Sequence, residues 1–232
     1  MKTLRRNTGP FAERPYYELE DVERICTDEL QGVNLYPSNP ERIRIDRFLE
    51  KRFGITPQYE DLPESVLGYT KFGPKGVEVI VVARSLSEDG SKTAERRINS
   101  TLAHEAGHAL LHAHLFVFDA KPTSLFDDTA QDKPQILCRD VAGVSPTKHT
   151  YAGQWWEFQA NQSIGALLLP GRLLDQVLTP YLTTKGSLNV RTIDPSRRDD
   201  ATAKVADIFE VNPIVVQIRL EQRYPEGSQL GL

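Results

Sequence analysis

The feature that most constrains the fold is a short run rich in histidine. Residues 101–114 read TLAHEAGHALLHAH and contain four of the five histidines in the 232-residue chain. The run has no proline and consists largely of good helix formers, so it predicts an α-helix. Apolar residues on both sides of this helix predict that it is covered from two directions. Buried imidazoles need polar partners, and the fold must therefore supply them.

His104, Glu105 and His108 have the spacing H-E-x-x-H. Four residues advance a helix by about 400°, so the two imidazoles lie on one side, one turn apart, where both can bind a single metal ion. Glu105 lies about 100° from His104, close enough to hold a metal-bound water without being a ligand itself. We therefore expect His104 and His108 to bind the metal and Glu105 to act as the catalytic base.

A third ligand is needed, and the first candidate is a histidine further along the same run. His114 stands where H-E-x-x-H-x-x-G-x-x-H sites have their third histidine, but Leu111 stands in the glycine position. Without that glycine the helix is expected to continue, which places His114 about 280° from His104. In one straight helix His112 would lie about 12 Å along the axis from His104. We therefore interpret His112 and His114 as packing residues or as partners that support the ligands.

The second candidate is a carboxylate in the run WWEFQANQSIGALLLP. Glu157, Ala160, Ile164 and Leu168 recur at helical spacing, which places Glu157 on the inward face. A buried carboxylate becomes favourable if Zn²⁺ neutralises it, in a two-histidine, one-glutamate site with its fourth position open to water. Asn161, one turn on, could accept a hydrogen bond from a ligand histidine. The alternative is a partly exposed glutamate beside a core asparagine.

The two runs together resemble the IrrE/ImmA family of zinc metallopeptidases. In that family a helix of the type H-E-x-G-H-x-L-L-H is followed by E-x-x-A-N-x-x-A-x-x-L-L-M-P, and the matching residues here lie between positions 98 and 170, about a third of the chain. The resemblance implies that His104, His108 and Glu157 bind zinc and that Glu105 is the catalytic residue.

Two positions depart from the family pattern, and neither is a ligand. Gly165 stands where alanine-like residues are common, and Leu169 replaces the usual methionine. The resemblance implies a gluzincin-like core with a small sheet packed on the metal helices. It also implies a cytosolic peptidase that cuts a helix-turn-helix repressor under stress or during induction of a mobile element. The expected partner is therefore a protein substrate.

The rest of the chain predicts an α+β fold. Two amphipathic helices are expected in YYELEDVERICTDEL and PERIRIDRFLEKRFG, and a β-hairpin or small sheet in VLGYTKFGPKGVEVIVVARSL. The predicted metal helix spans about 94–115, with Thr93 as its N-cap, and the helix that carries the glutamate spans about 154–169. A long surface excursion is expected over 119–153 and a loop over about 183–197.

We divide the chain into a mostly helical metallopeptidase domain over 1–180, whose small β-sheet packs on the H-E-x-x-H helix, and a C-terminal helical segment over 181–232. The valine-rich run VEVIVV either accepts an extended substrate as an added strand or is an ordinary core strand. His149 or Tyr151 could donate to the oxyanion of the substrate, or both are plain surface residues.

The C-terminal segment suggests a rival function. Its apolar residues have the spacing of a helix-turn-helix, with Asn212 and Pro213 at the turn. They are Ala206, Phe209, Val211, Val215, Ile218 and Leu220. A regulator that binds DNA or protein through this segment, with a structural or sensory metal site, is the alternative. Because the second helix offers only Arg219 and Arg223 as cations, packing or recognition of the substrate protein fits better than direct nucleic-acid binding.

Charge and composition narrow the classes further. A formal net charge of -4 and a pI near 5.8 give no overall attraction to nucleic acid or to anionic membranes. No apolar run resembles a signal peptide or a membrane span, and two cysteines are too few for a disulfide framework. We expect a cytoplasmic enzyme that uses zinc, although histidine and carboxylate ligands also suit manganese, iron or cobalt.

Overall fold

The computed structural model describes residues 2–5, 13–118, 135–139, 155–185 and 190–225. Within these ranges the chain combines many helices with one four-stranded sheet and two small hairpins. The predicted α+β fold class is confirmed.

The helices include those expected from sequence periodicity. Both opening helices form, because their apolar residues recur at three and four and face the core. In chain order the described helices are α1 (Leu19–Gly32), α2 (Ile45–Phe53), α3 (Arg84–Asp89), α4 (Lys92–Leu111), α5 (Ala113–Phe118), α6 (Trp155–Leu168), α7 (Gly171–Leu178), α8 (Arg198–Ile208) and α9 (Pro213–Arg223). Short 3₁₀ turns follow α7 and precede α8.

The described strands form three separate sheets. They are β1 (Lys2–Arg5), β2 (Glu13–Tyr16), β3 (Gln58–Glu60), β4 (Val66–Gly73), β5 (Gly76–Ala83), β6 (Gln135–Arg139), β7 (Leu182–Lys185) and β8 (Val190–Ile193). The main sheet has the order β3-β5-β4-β6, with β3 parallel to β5 and the other pairs antiparallel. The predicted hairpin is β4–β5, in which Gly73 pairs with Gly76 across a two-residue turn.

The valine-rich strand is an interior strand of this sheet. On one side β5 pairs with β4 along its length, and on the other side Val81, Val82 and Ala83 pair with β3. Ile80 through Val82 are fully buried. The run VEVIVV is therefore a core strand, and its paired end has no free edge for an added strand.

The metal helix is shorter and begins earlier than predicted. Ser91, not Thr93, is its N-cap, because the Ser91 hydroxyl accepts a hydrogen bond from the backbone N–H of Ala94 at 3.1 Å. The helix ends at Leu111, and His112 has φ -121° and ψ -14° before α5 begins. The expectation of one straight helix through this region is wrong. At the break, the His112 ring is hydrogen-bonded to Gln159 of α6.

The prediction of a loop over about 183–197 is also wrong in part. Strands β7 and β8 form an antiparallel hairpin there, in register from Leu182 opposite Ile193 to Lys185 opposite Val190. Ile193 is buried in the core, whereas Val190 is 43% exposed. Because only one end of the hairpin is buried in the core, its strands do not need the alternating apolar residues by which a strand is recognised in a sequence.

Helix α4 lies between the sheet and α6, as the prediction of cover from two directions requires. Every residue from Thr101 to Ala109 is buried. Gly107 permits the close approach to α6: a Cβ there would lie 2.7 Å from Cβ of Ser163 and 3.1 Å from Cα of Ala160. The same core cluster extends into α8 and α9, through Val205 and Leu220. The boundary at residue 180 stays a prediction.

Among the described residues, no helix combines the length and the apolar character needed to cross a lipid bilayer.

Candidate metal centre

Three side chains from two helices converge where α4 packs against α6. His104 and His108 come from α4, one turn apart, and Glu157 comes from the first turn of α6. The Nε2 atoms of the two histidines are 2.9 Å apart. Oε2 of Glu157 lies 3.2 Å from Nε2 of His104, and its Oε1 lies 3.5 Å from Nε2 of His108. This group of two buried imidazoles and one half-buried carboxylate could hold a metal ion.

A chain of hydrogen bonds fixes the tautomer of His108. The amide of Gln159 donates from Nε2 to the backbone carbonyl of Pro15 at 2.9 Å, so its Oε1 faces Nε2 of His112, also at 2.9 Å. Because that oxygen only accepts, the neutral His112 ring carries its proton on Nε2. Nδ1 of His112 then accepts from Nδ1 of His108 at 3.0 Å. Nε2 of His108 is left as a lone pair that faces the group.

His104 is oriented in the same way from the other side. Its Nδ1 lies 3.1 Å from Oδ1 of Asn161, the residue one turn after Glu157. An amide oxygen accepts the Nδ1 proton and leaves the lone pair of the His104 Nε2 atom facing Glu157. The predicted hydrogen bond between Asn161 and a ligand histidine is present.

The arrangement fits a metal ion on two grounds. Two imidazole lone pairs and a carboxylate face one another at hydrogen-bond distances, so a cation is the species that satisfies all three. Around a tetrahedral ion with ligand bonds near 2.1 Å, neighbouring ligand atoms lie about 3.4 Å apart. The observed separations of 2.9, 3.2 and 3.5 Å bracket that value.

Burial keeps the imidazoles of His108 and His112 neutral. Desolvation is the main cause that lowers the pKa of His108 to about 4 and lowers the pKa of His112 well below its ordinary value. Burial alone would raise the pKa of Glu157, but its contacts with His104 and His108 outweigh burial and lower it. Neutral imidazoles beside an ionised carboxylate are the protonation states that a divalent ion requires.

Glu105 occupies the space between α4 and the sheet. It has no exposed surface, and its Oε2 accepts a hydrogen bond from the hydroxyl of Thr70 on β4 at 2.5 Å. Its Oε1 has no hydrogen-bond partner within the described part of the chain. Burial is the main cause that raises the pKa of Glu105 to about 7, while the neighbouring His104 and the hydrogen bond from Thr70 oppose the shift. The carboxyl is therefore held by one oxygen and has the other available for a proton.

The remaining candidates from the sequence divide into two sets. His112 is hydrogen-bonded to the candidate ligand His108, whereas His114 lies in α5 beyond the helix break and is not part of the group that could hold a metal ion. His149 and Tyr151 lie outside the described residues.

Sequence reasoning missed two residues that hold the site in place, Thr70 and Gln159. Thr70 lies on β4, far along the chain from Glu105, and no local spacing connects them. Gln159 offered one usable signal in the sequence, because it follows Glu157 by two residues within the predicted metal-binding helix. In the structure its side chain is buried, with 3% of its surface exposed. A buried glutamine on such a helix needs partners, and that requirement could have identified it.

The two arginines of the C-terminal helix α9 are both engaged inside the protein. Arg219 has no exposed surface, and its Nη1 lies 2.9 Å from Oε1 of Glu23. Arg223 pairs with Glu23 and with Asp175, each at 3.0 Å. We name these four residues the arginine cluster. Neither guanidinium is placed to contact a phosphate backbone, so the packing role expected for this helix agrees with the structure.

The chain matches no family model and no curated relative. The resemblance to IrrE/ImmA metallopeptidases therefore depends on the two motifs and on the site that they form.

Proposed function

We propose that this chain is a metal-dependent endopeptidase of the IrrE/ImmA type, with zinc as its metal. The observation that carries the proposal is the convergence of His104, His108 and Glu157 beside the buried carboxyl of Glu105. Three ligands from two rigid helices leave a fourth position for a water molecule, which is the composition of catalytic rather than structural zinc sites.

In this mechanism the protein holds the ligands and moves one proton. When bound, a zinc ion supplies a Lewis acid that activates water and polarises the peptide carbonyl. Gln159, His112 and Asn161 keep the two ligand imidazoles in the tautomer that presents Nε2. Because His112 and Gln159 are buried and all three partners are hydrogen-bonded, the histidines need little reorganisation when the substrate binds.

Glu105 is the general base and then the general acid. Its Oε1 accepts a proton from water while the water oxygen bonds to the peptide carbonyl carbon. The same proton passes to the amine nitrogen as the C–N bond breaks, so Glu105 ends each turnover ionised. Thr70 holds the other oxygen and keeps the carboxyl from rotating.

The substrate proposed on the family resemblance is a regulatory protein of the cytoplasm, such as a helix-turn-helix repressor. A peptidase of this kind would act on transcription indirectly, by removing the repressor. The engaged arginines of α9 weigh against the rival in which the C-terminal segment itself binds DNA. An electrophoretic shift with random duplex DNA at moderate salt separates the two, since the peptidase is expected to give none.

The decisive test is the substitution Glu105→Gln. The variant keeps the shape of the side chain, so we expect unchanged zinc content by elemental analysis. Cleavage of a quenched fluorescent peptide library, and of a repressor encoded beside the gene, is expected to fall by about 10²–10⁴-fold. The matched control is Glu95→Gln, which changes an exposed glutamate of the same helix and is expected to cleave normally. Full activity in Glu105→Gln would disprove the mechanism.

A further inference from the structure

A cavity lies directly beside the metal-binding group, between α4, α6 and α9. Its volume is about 290 Å³, and the ligand His104 is one of its lining residues. Most of its surface is apolar and comes from Leu67, Phe158, Ile164, Val215 and Ile218. The C-terminal helix thus contributes part of the wall of a pocket that reaches the metal centre.

We propose that this cavity binds a large apolar side chain of the peptide substrate, next to the bond that is cut. The inference rests on the proposed peptidase function and adds its substrate class. It also gives α9 a role in recognising substrate through Val215 and Ile218, rather than in contacting nucleic acid.

The position of the cavity supports a side chain of the substrate as its occupant. Phe158 follows Glu157 directly, lines the cavity and is 37% exposed, so part of its ring is accessible to a ligand. His104 faces the metal-binding group with Nε2, and the same residue lines the cavity. A substrate whose carbonyl reaches the metal-binding group therefore has a neighbouring residue within reach of this apolar surface.

The size of the cavity also favours a side chain. A volume of about 290 Å³ is far more than one water needs, and it lies at the lower limit for pockets that enclose whole small molecules. A leucine, methionine or phenylalanine side chain fits such a space together with the peptide group next to it, while the rest of the peptide stays outside. Removing that side chain from water supplies the free energy of binding.

Two polar side chains in the lining point to a peptide. Oε1 of Gln162 is buried and has no hydrogen-bond partner within the described ranges. Arg219, which is fully buried, has no hydrogen-bond acceptor there for its Nε or Nη2. A peptide group offers the matching pair, because its N–H can donate to the glutamine oxygen and its C=O can accept from the guanidinium. A pure hydrocarbon ligand would leave both unsatisfied.

Binding is measured on the metal-loaded full chain with two probes, N-acetyl-leucinamide and N-acetylglycinamide, by ligand-observed NMR. We expect the leucine probe to bind at least about tenfold more tightly, since its side chain is transferred from water into the cavity. Equal binding of the two probes would overturn the proposal.

Variants of α9 assign the binding to this cavity. Ile218→Trp fills it and is expected to abolish the preference for leucine, whereas Gln217→Trp places the same ring on the exposed face of the same helix and should preserve it. Ile218→Ala enlarges the cavity and is expected to shift the preference toward N-acetyl-phenylalaninamide, which guards against misfolding of the tryptophan variant. An unchanged preference in both Ile218 variants contradicts the assignment.

Cleavage of peptides that differ at one position separates the two proposals. If the probes bind as expected but no peptide is cut, the cavity stands and the peptidase function fails. If peptides are cut with no preference for a large apolar residue beside the bond, and Ile218→Trp cuts as the wild type does, the peptidase function stands and this inference fails.

Discussion

Two clusters of charged and polar side chains contact α6, and they differ in what balances them. In the arginine cluster, each carboxylate faces a guanidinium supplied by the chain itself. In the metal-binding group, two lone pairs and a carboxylate face one another. The two central carboxylates are almost equally covered, with Glu157 21% exposed and Glu23 23% exposed. The difference lies in the source of positive charge: the arginine cluster contains its own guanidinium groups, whereas the metal-binding group would take its positive charge from a bound ion.

The largest expected effect comes from removing one of those two carboxylates, Glu157, and comparing it with removal of the other, Glu23. Glu157→Ala removes one of three ligands, and we expect affinity for zinc, measured by competition with a chromogenic chelator, to fall more than about a hundredfold. That loss exceeds the 10–100-fold typical of partners that only support a ligand. Glu23→Ala is expected to keep wild-type zinc affinity. If Glu157→Ala also retained it, the three-ligand site would be wrong.

Glu23→Ala should instead reduce stability, because it leaves the buried guanidinium of Arg219 without its counter-charge. We expect a loss of about 3 kcal/mol in the free energy of unfolding, measured with urea on the metal-free protein. The control is Asp28→Ala, which removes an exposed partner of Arg24 on the same helix and should cost less than about 1 kcal/mol. Similar losses in both variants would show that the arginine cluster is not a distinct structural unit.

Gln159→Leu tests whether the metal-binding group depends on its hydrogen-bonded chain. Without the glutamine oxygen, the proton of His112 is no longer held on Nε2. His108 can then carry its own proton on Nε2, which removes the lone pair that faces the metal-binding group. We expect zinc affinity to fall about 10–100-fold. ¹⁵N shifts of the histidine rings in the metal-free protein should show a mixture of tautomers. Gln162→Leu, on the same helix, is the control and should bind zinc as the wild type does.

The smallest effect is expected at the crossing of α6 and Arg219. A Cβ at Gly165 would lie 2.9 Å from Cδ of Arg219, which is not the free end of the side chain. Gly165→Ala should therefore lower the free energy of unfolding by about 1 kcal/mol, because strain exceeds the gain in helix propensity. Gly32→Ala, where a Cβ would meet nothing within 4 Å, should be neutral or slightly stabilising. Equal changes in stability for the two substitutions would show that close packing against Arg219 does not explain the glycine at position 165.

The sequence predicted the relative positions of the candidate site's side chains where those side chains share a helix. The placement of His104 and His108 one turn apart, and of Glu157 and Asn161 one turn apart, follows from helical geometry alone. The predicted helix of about 154–169 matches Trp155–Leu168 closely. Such relations need only the number of residues between two positions.

Relations between distant segments could not be predicted in this way. Glu105 meets Thr70 across 35 residues, and Arg223 meets Glu23 across 200. Only the packed structure brings these pairs together, because no period or propensity in either segment encodes the other. The end of α4 at Leu111 was missed for the same reason, since the hydrogen bond of His112 to Gln159 of α6 acts across 47 residues.

The chain of hydrogen bonds from His108 ends on the carbonyl oxygen of Pro15, in strand β2. Every amino acid provides that oxygen, so replacement of Pro15 alone cannot remove the final acceptor. Displacement of strand β2 can remove that acceptor, because it moves the carbonyl group away from Gln159. The tautomer of His108 is thus insensitive to the identity of residue 15 and sensitive to the position of its main chain. In the proposed metalloenzyme, metal affinity therefore depends on how strand β2 packs against α6.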